Sequence, residues 1–464
     1  EHLAAVVSRY KDSPAIGAWI LGNEFAYFDL WEDPELYPAR RMLGYDPISL
    51  GAFRSWLSGL YHGEIAALNA NWGTSYRDFD EAEMPQRYPA DRNDPGYHDV
   101  IQWRKQSIAK FLALGAKAAR DSDPNHLITY SMVGGIFSGS DANHTCEDPV
   151  TIVEHCRDIG APLDFWSVTN YSWATEGSEL RSADFGIAKY EELIGLPVML
   201  SETGHSSTEN LLPGAAPRQS EALRSTLWES LSSGAIGMHF FHWSDRNNFT
   251  EDYFIRERGF GIVGQDRTSK GEVYEKIEAL LRRLDEVEIG NLLGGSRGPD
   301  SDVLIYLTTE GDIGFPRGNQ ENSMVWGALR RHGYQVGLIG PDELLAGELE
   351  GAKALVLSRC DQLKPEVLDY VLNDLLPSGV HVHANADLPG ELNAYRQPNA
   401  NWASRMDSIF GLDVSGAVAE WNAGVSGGFN ETYRQLQIEG SGTPFGPFVS
   451  DYSRRFLTWK VWEL

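Results

Sequence analysis

Two stretches decide how this chain is read: AIGAWILGNEF (15–25) and LPVMLSETGHSS (196–207). Each is a short apolar run that turns polar abruptly, the first at Asn23-Glu24 and the second at Glu202. Short continuous apolar runs suit strands buried on both faces, as in a parallel sheet covered by helices. Working outward, the same rhythm extends from the first residue to about Val287. LGAFRSWLSGLYHGEIAALNANWG (50–73) reads as helices, DVIQWRKQSIAKFLALGAKAARDSD (99–123) as a helix and HLITYSMVGG (126–135) as a strand. LDFWSVTNYSW (163–173) is another strand, with a helix near 184–194 after it. A helix around 218–233 leads to a last strand, GAIGMHFFHWSD (234–245), and EVYEKIEALLRRLDEVEI (272–289) closes the region as a helix.

The expected strands end in polar and aromatic clusters: Asn23-Glu24, Tyr130-Ser131, Asn170-Tyr171, Glu202 and His242-Trp243. In a (β/α)8 barrel the functional groups occupy the C-terminal ends of the strands, on one face. The fold class expected is therefore α/β, with an incomplete TIM-type barrel over 1–290. After the Gly/Pro/Ser break NLLGGSRGPDSD (291–302) a second pattern begins. DVLIYLT, YQVGLIG, AKALVLS and VHVHANA read as strands and NSMVWGALRRHG and PEVLDYVLNDLLPSG as helices, a doubly wound domain over 302–390. It carries neither GxGxxG after its first strand nor GxxxxGK[ST], so a dinucleotide or phosphate site is not supported. The segment 391–464, rich in Asn, Gly and Trp, is expected to be irregular, a continuation of the second domain or the start of a third.

Composition removes several functions. The 464 residues carry 39 Lys plus Arg against 66 Asp plus Glu, a net charge of −27. Nucleic-acid binders gain most of their affinity by neutralising phosphates with cations, so the charge argues against that class and equally disfavours anionic membrane surfaces. No apolar run approaches the roughly 18 residues of a membrane-spanning helix. Cys146, Cys156 and Cys360 are too few for a disulfide framework, and no CxxC or HExxH spacing occurs. The opening EHLAAVVSRYKDSPA (1–15) lacks an apolar h-region. The compartment stays open on this reading, with the cytoplasm slightly favoured. Aromatic residues make up 11%, many beside acids or amides, a combination suited to sugar faces.

Chemistry centres on Glu24 and Glu202. Glycosidic bond cleavage needs two carboxyl groups on rigid supports, one protonated to serve the leaving oxygen and one ionised to attack or to activate water. A single Glu after a strand is most often a solvated strand end; two of them on one sheet face, with aromatic neighbours, favour the chemical reading.

WILGNEF (19–25) and VMLSETG (198–204) resemble the acid/base and nucleophile strands, the fourth and seventh, of clan A retaining glycosidases. FRSWLSGLYHGEIAALNANWGTSY (53–76) resembles the stretch after the fourth strand of family 42 β-galactosidases, and LWESLSSGAIGMHFFHWSD (227–245) their last helix and strand. The second domain resembles their flavodoxin-like, glutamine-amidotransferase-like trimerisation domain. The resemblance implies a β-galactosidase working by double displacement, with Glu24 the acid/base and Glu202 the nucleophile, about 5–5.5 Å apart. It implies Asn23 as the contact to the sugar's 2-hydroxyl, Tyr171 as the residue that orients the nucleophile and Trp243 as the platform beneath the sugar; Asn170, at the strand end beside Tyr171, and His205, three residues after Glu202, are further candidate contacts by position. It implies barrel strands four to eight without the first three, a carbohydrate substrate, no cofactor and a homo-oligomer that could complete the open barrel. The family's cysteine cluster after the acid/base strand has no counterpart in 25–49, so no metal is expected despite His62, His144 and His205. Two other readings stand beside this one: an endo-acting glycanase on a galactan-, agar- or mannan-like polymer, with 78–99 shaping its cleft, and a carbohydrate-binding or assembly protein without catalysis.

Overall fold

A computed structural model describes residues 1–25, 44–85, 95–133, 146–170, 182–205, 207, 215–246, 259–294, 300–307, 317–349, 351–358 and 363–385, and four later segments, 413–425, 429–439, 443–449 and 458–463. Five strands, β1 (Ala18–Asn23), β2 (Leu127–Val133), β3 (Trp166–Thr169), β4 (Val198–Thr203) and β5 (Gly237–Phe240), form one sheet in chain order, every neighbouring pair parallel. The expected parallel α/β fold is thus present. Helices Pro47–Leu60, Ile65–Trp72 and Pro95–Ser122 separate β1 from β2, and single helices separate the later pairs.

Local chemistry explains the helix boundaries. Asp46 accepts hydrogen bonds from the N–H groups of Ile48 and Ser49, both at 3.0 Å, with Pro47 opening the helix. Gly73, at φ 67, ends helix Ile65–Trp72 in the left-handed conformation that glycine tolerates. Asn69 then shapes the turn: its Oδ1 accepts from Thr74 Oγ1 at 2.8 Å and Tyr76 N at 2.9 Å, and its Nδ2 donates to Tyr76 O at 2.8 Å. Asn71 Nδ2 donates to Tyr61 Oη at 2.7 Å and Trp72 Nε1 to Asp99 Oδ2 at 2.8 Å, so the Asn–Trp–Gly–Thr stretch ties this helix to the end of the one before it and to helix Pro95–Ser122. Beneath it Phe53, Leu57 and Leu68 are fully buried with Ile101, Leu112, Ile128 and Leu200 in the main core. Cys146 and Cys156 are buried, and burial pushes the Cys156 thiol up to about 12. Cys360 lies outside the described residues.

The sheet is curled. Ser131 Oγ on β2 meets Ser201 Oγ on β4 at 2.8 Å, passing over β3. In a flat sheet second-neighbour strands lie about 10 Å apart, too far for two serine hydroxyls to touch. Their contact draws the concave face inward, and Thr129, Ser131, Ser167 and Thr169 on β2 and β3 are all buried.

A second sheet begins with β6 (Val303–Tyr306), β7 (Val336–Ile339), β8 (Ala354–Ser358) and β9 (His381–Asn385), parallel in the order β7-β6-β8-β9. The irregular chain expected from 391 is not what the described residues show. β10 (Asp413–Val425) and β11 (Phe429–Glu439) pair antiparallel with each other. β12 (Thr443–Val449) and β13 (Thr458–Glu463) extend the second sheet by antiparallel pairing of β13 with β9. The Asn- and Gly-rich composition that argued against strands is outweighed by cross-strand pairing, local in β10–β11 and β12–β13 and long-range only where β13 meets β9. Phe185, on helix Ser182–Ile194, is buried with Val303, Ile305 and Trp326, and Ala188 and Leu193 of the same helix pack against this cluster, so the helix layer of the first sheet shares an apolar cluster with the second.

Candidate active site

The site lies along the C-terminal ends of β1 to β5. Three register shifts occur there: Ile20/Asn23 of β1 against β2, Val168/Thr169 of β3 against β4, and Leu200/Thr203 of β4 against β5. Such irregularities re-aim side chains at the ends of barrel strands. Across β3–β4, Ser167 pairs with Met199 and Val168 with Leu200, but Thr169 pairs with Glu202. The extra residue puts Glu202 level with Thr169, which regular alternation would have matched with Ser201. At β1 the backbone of Glu24 is left-handed, at φ 50, and its N–H donates to Ser131 O at 2.8 Å. Non-glycine residues in that region cost on the order of 1 kcal/mol or more and persist where the surroundings hold them.

The side chains converge as follows. Thr169 Oγ1 donates to Glu24 Oε1 at 2.7 Å, a link that passes over β2. The N–H of Asn170 donates to Glu202 O at 2.8 Å, and Asn170 itself is buried. Asn23, at the tip of β1, is exposed, while Glu24 and Glu202 are half-buried. His205 is buried two residues beyond β4. Trp243 is 58% exposed after the cis Phe241–His242 peptide at the end of β5, a flat apolar surface open to solvent. Six of the seven residues singled out from the sequence therefore share one rim; the seventh, Tyr171, lies outside the described residues.

Two further residues hold the rim together. Gln219 Nε2, fully buried on helix Ala215–Ser232, lies 2.8–3.3 Å from the carbonyl oxygens of His205, Gly259, Phe260 and Gly261. Lys270 Nζ lies 2.8–3.3 Å from Ser207 Oγ, Asp245 Oδ1, Gly259 O and Gly261 O. Burial pushes the Lys270 ammonium below its ordinary value, opposed by the Asp245 carboxylate. Together they tie the chain carrying His205 to the chain carrying Trp243. Gly204 and Gly261 make the close approach possible, since a Cβ would overlap Phe241 O at the first and Asp245 N at the second. Sequence reading missed Thr169, Gln219 and Lys270, because each is an ordinary polar residue whose partners are remote in the chain. Among the described residues no three His, Cys, Asp or Glu side chains are grouped to hold a metal ion.

The family model Glyco_hydro_42, described as beta-galactosidase, matches residues 1–287. The chain belongs to glycoside hydrolase family 42. Among its family 42 relatives, the beta-galactosidase Bga of Halorubrum lacusprofundi is 28% identical over 249 residues, 51% of this chain and 33% of that protein. The beta-galactosidase BgaH of Haloferax lucentense is 25% identical over 395 residues, covering 80% of this chain and 53% of that one. This chain thus spans between a third and about half the length of these curated relatives. The crystal structure of a beta-galactosidase from Bacillus circulans sp. alkalophilus superposes with a TM-score of 0.70 at 16% identity, over 96% of this chain and 64% of that one. At that identity the likeness speaks for the fold, and the five parallel strands of the family 42 chain correspond to part of a TIM-barrel architecture.

Proposed function

We propose that this family 42 chain carries the centre of a retaining β-glycosidase acting on β-galactosides by double displacement. The observation that supports it most directly is the pair of strand-end glutamates bracketing Thr169, Glu24 through its side chain and Glu202 through the strand register. Glu202 attacks the anomeric carbon and forms a bond to it as the bond to the leaving oxygen breaks. Glu24 gives its proton to that oxygen. Glu24, now ionised, takes a proton from water, whose oxygen attacks the anomeric carbon and releases Glu202. In this reading Asn23 bonds the sugar's 2-hydroxyl, a contact that strengthens in the transition state. Asn170 and His205 are further sugar contacts, Tyr171 orients Glu202, and Trp243 is the stacking platform. The parallel strands in the order β7-β6-β8-β9 read as the flavodoxin-like domain, the order of that doubly wound fold, and the working form is a homo-oligomer.

Hydrolysis of a panel of p-nitrophenyl glycosides by the chain, beside its Glu202→Gly variant, tests this. Turnover of the β-galactoside that disappears in the folded variant is the expected result. Sugar binding without turnover in either protein would overturn it in favour of a binding protein.

A further inference from the structure

Thr169 touches both carboxylate-bearing strands. Its Oγ1 donates to Glu24 Oε1 at 2.7 Å. Its backbone stands in register with Glu202, and the N–H of the following residue, Asn170, donates to Glu202 O. Thr169 is 4% exposed and sits on a four-residue strand that is buried throughout, so it has little freedom of its own. Glu24 differs: its backbone is held by Ser131 O, but a glutamate side chain has three rotatable bonds before its oxygens. A proton donor must lie within hydrogen-bond reach of the atom it serves, and small misplacements are costly. One bond from a rigid hydroxyl to one carboxyl oxygen removes most of that freedom.

The geometry points to Thr169 as a positioning residue that fixes the carboxyl group of Glu24 relative to Glu202. With Oε1 held by Thr169, Oε2 is the oxygen that carries the proton: it passes to the leaving oxygen as the bond from Glu202 to the anomeric carbon forms and the old bond breaks. This role rests on the reading of Glu24 as acid/base and Glu202 as nucleophile.

The test uses the full chain with Thr169→Val, which keeps the shape and removes the hydroxyl, Thr169→Ala as a smaller second variant, and Thr169→Ser as the rescue. Two β-galactosides are compared: a phenyl galactoside, whose leaving group needs the proton, and a dinitrophenyl galactoside, whose leaving group departs without it. The carboxyl ¹³C resonance of Glu24, assigned by its loss in Glu24→Gln, is recorded in each protein. Thr169→Val is expected to lower kcat/KM for the phenyl galactoside by about 10–100-fold and for the dinitrophenyl galactoside by less than about 3-fold, with Thr169→Ser near the parent. The Glu24 resonance moves in Thr169→Val and Thr169→Ala and returns in Thr169→Ser. Equal losses on both substrates, or a resonance unmoved in both Val and Ala variants, would overturn the proposal. If Glu24→Gln itself leaves the phenyl galactoside rate unchanged, the acid/base reading fails; the resonance still reports whether Thr169 holds that carboxyl.

Discussion

Glu24 combines a left-handed backbone, a hydrogen-bonded main-chain N–H and a side-chain oxygen held by Thr169. Such convergence on one residue points to a fixed placement of its carboxyl group. Glu24→Gln should lower kcat/KM for a phenyl galactoside by about 10²–10⁴-fold, the range typical of losing a general acid. Circular dichroism of the variant should match the parent. Trp243 offers a contrast. Its exposed ring contributes little to the core, so Trp243→Ala should leave the unfolding free energy within about 0.5 kcal/mol while raising KM. A large loss of stability would show that the ring is structural. The strand ends Asn23-Glu24, Glu202 and His242-Trp243 were legible in the sequence because polar residues closing apolar runs stand out locally. Thr169 was not, since its significance depends on a partner 145 positions away.

At the level of elements, strand ends and register do most to arrange the site, while polar anchors hold the opposite end of the sheet. Asp123, fully buried just before β2, accepts from Trp19 Nε1 at 2.9 Å and from the N–H groups of Asn125 and His126. It thereby ties β1 to the entry of β2. Burial alone pushes its carboxyl up, but these bonds, with that of the His126 ring, outweigh it and hold the carboxyl well below the usual carboxylate range. A carboxyl whose folded value lies below its unfolded value adds stability that is complete above about pH 4 and is lost as pH falls below that. Asp123→Asn should cost about 1–3 kcal/mol at pH 7 and shrink the stability difference between pH 7 and pH 3, as read by urea unfolding. An unchanged difference would count against Asp123 as a source of acid sensitivity. The helices and strands around it were expected from periodicity; the register shifts at the strand ends were not, because a one-residue shift leaves the apolar pattern of each strand unaltered.

For the molecule as a whole, the apolar cluster that the first sheet's helix layer shares with the second sheet is the feature to test. Phe185 is completely buried and its ring lies 6.0 Å from that of Trp326 at 64°, an edge-on pairing. Phe185→Ala should destabilise by about 3–5 kcal/mol, measured by denaturant unfolding, through lost contact and the cavity left behind. A cost below about 1 kcal/mol would mean that the two sheets are energetically independent. Among the described residues β1 and β5 are the edges of the first sheet, and Phe111, Leu114 and Ile236 are exposed at 61%, 67% and 57%. Apolar side chains at such levels favour burial against another surface. Native mass spectrometry should accordingly give a multiple of the chain mass; a single-chain mass at micromolar concentration would refute the homo-oligomer.

By itself the sequence determined a parallel α/β chain, the order of its first five strands and the glutamates that end the first and fourth of them. Those properties are local: an apolar run buried on both faces, an amphipathic helix and a polar strand end are each written in a few consecutive residues. The tertiary structure alone decided that Thr169 joins Glu24, that Gln219 and Lys270 tie the chain of His205 to that of Trp243, and that late strands extend the second sheet. Each depends on curl and register between segments far apart in the chain, and no short stretch of sequence encodes the distance between two strands that are not neighbours.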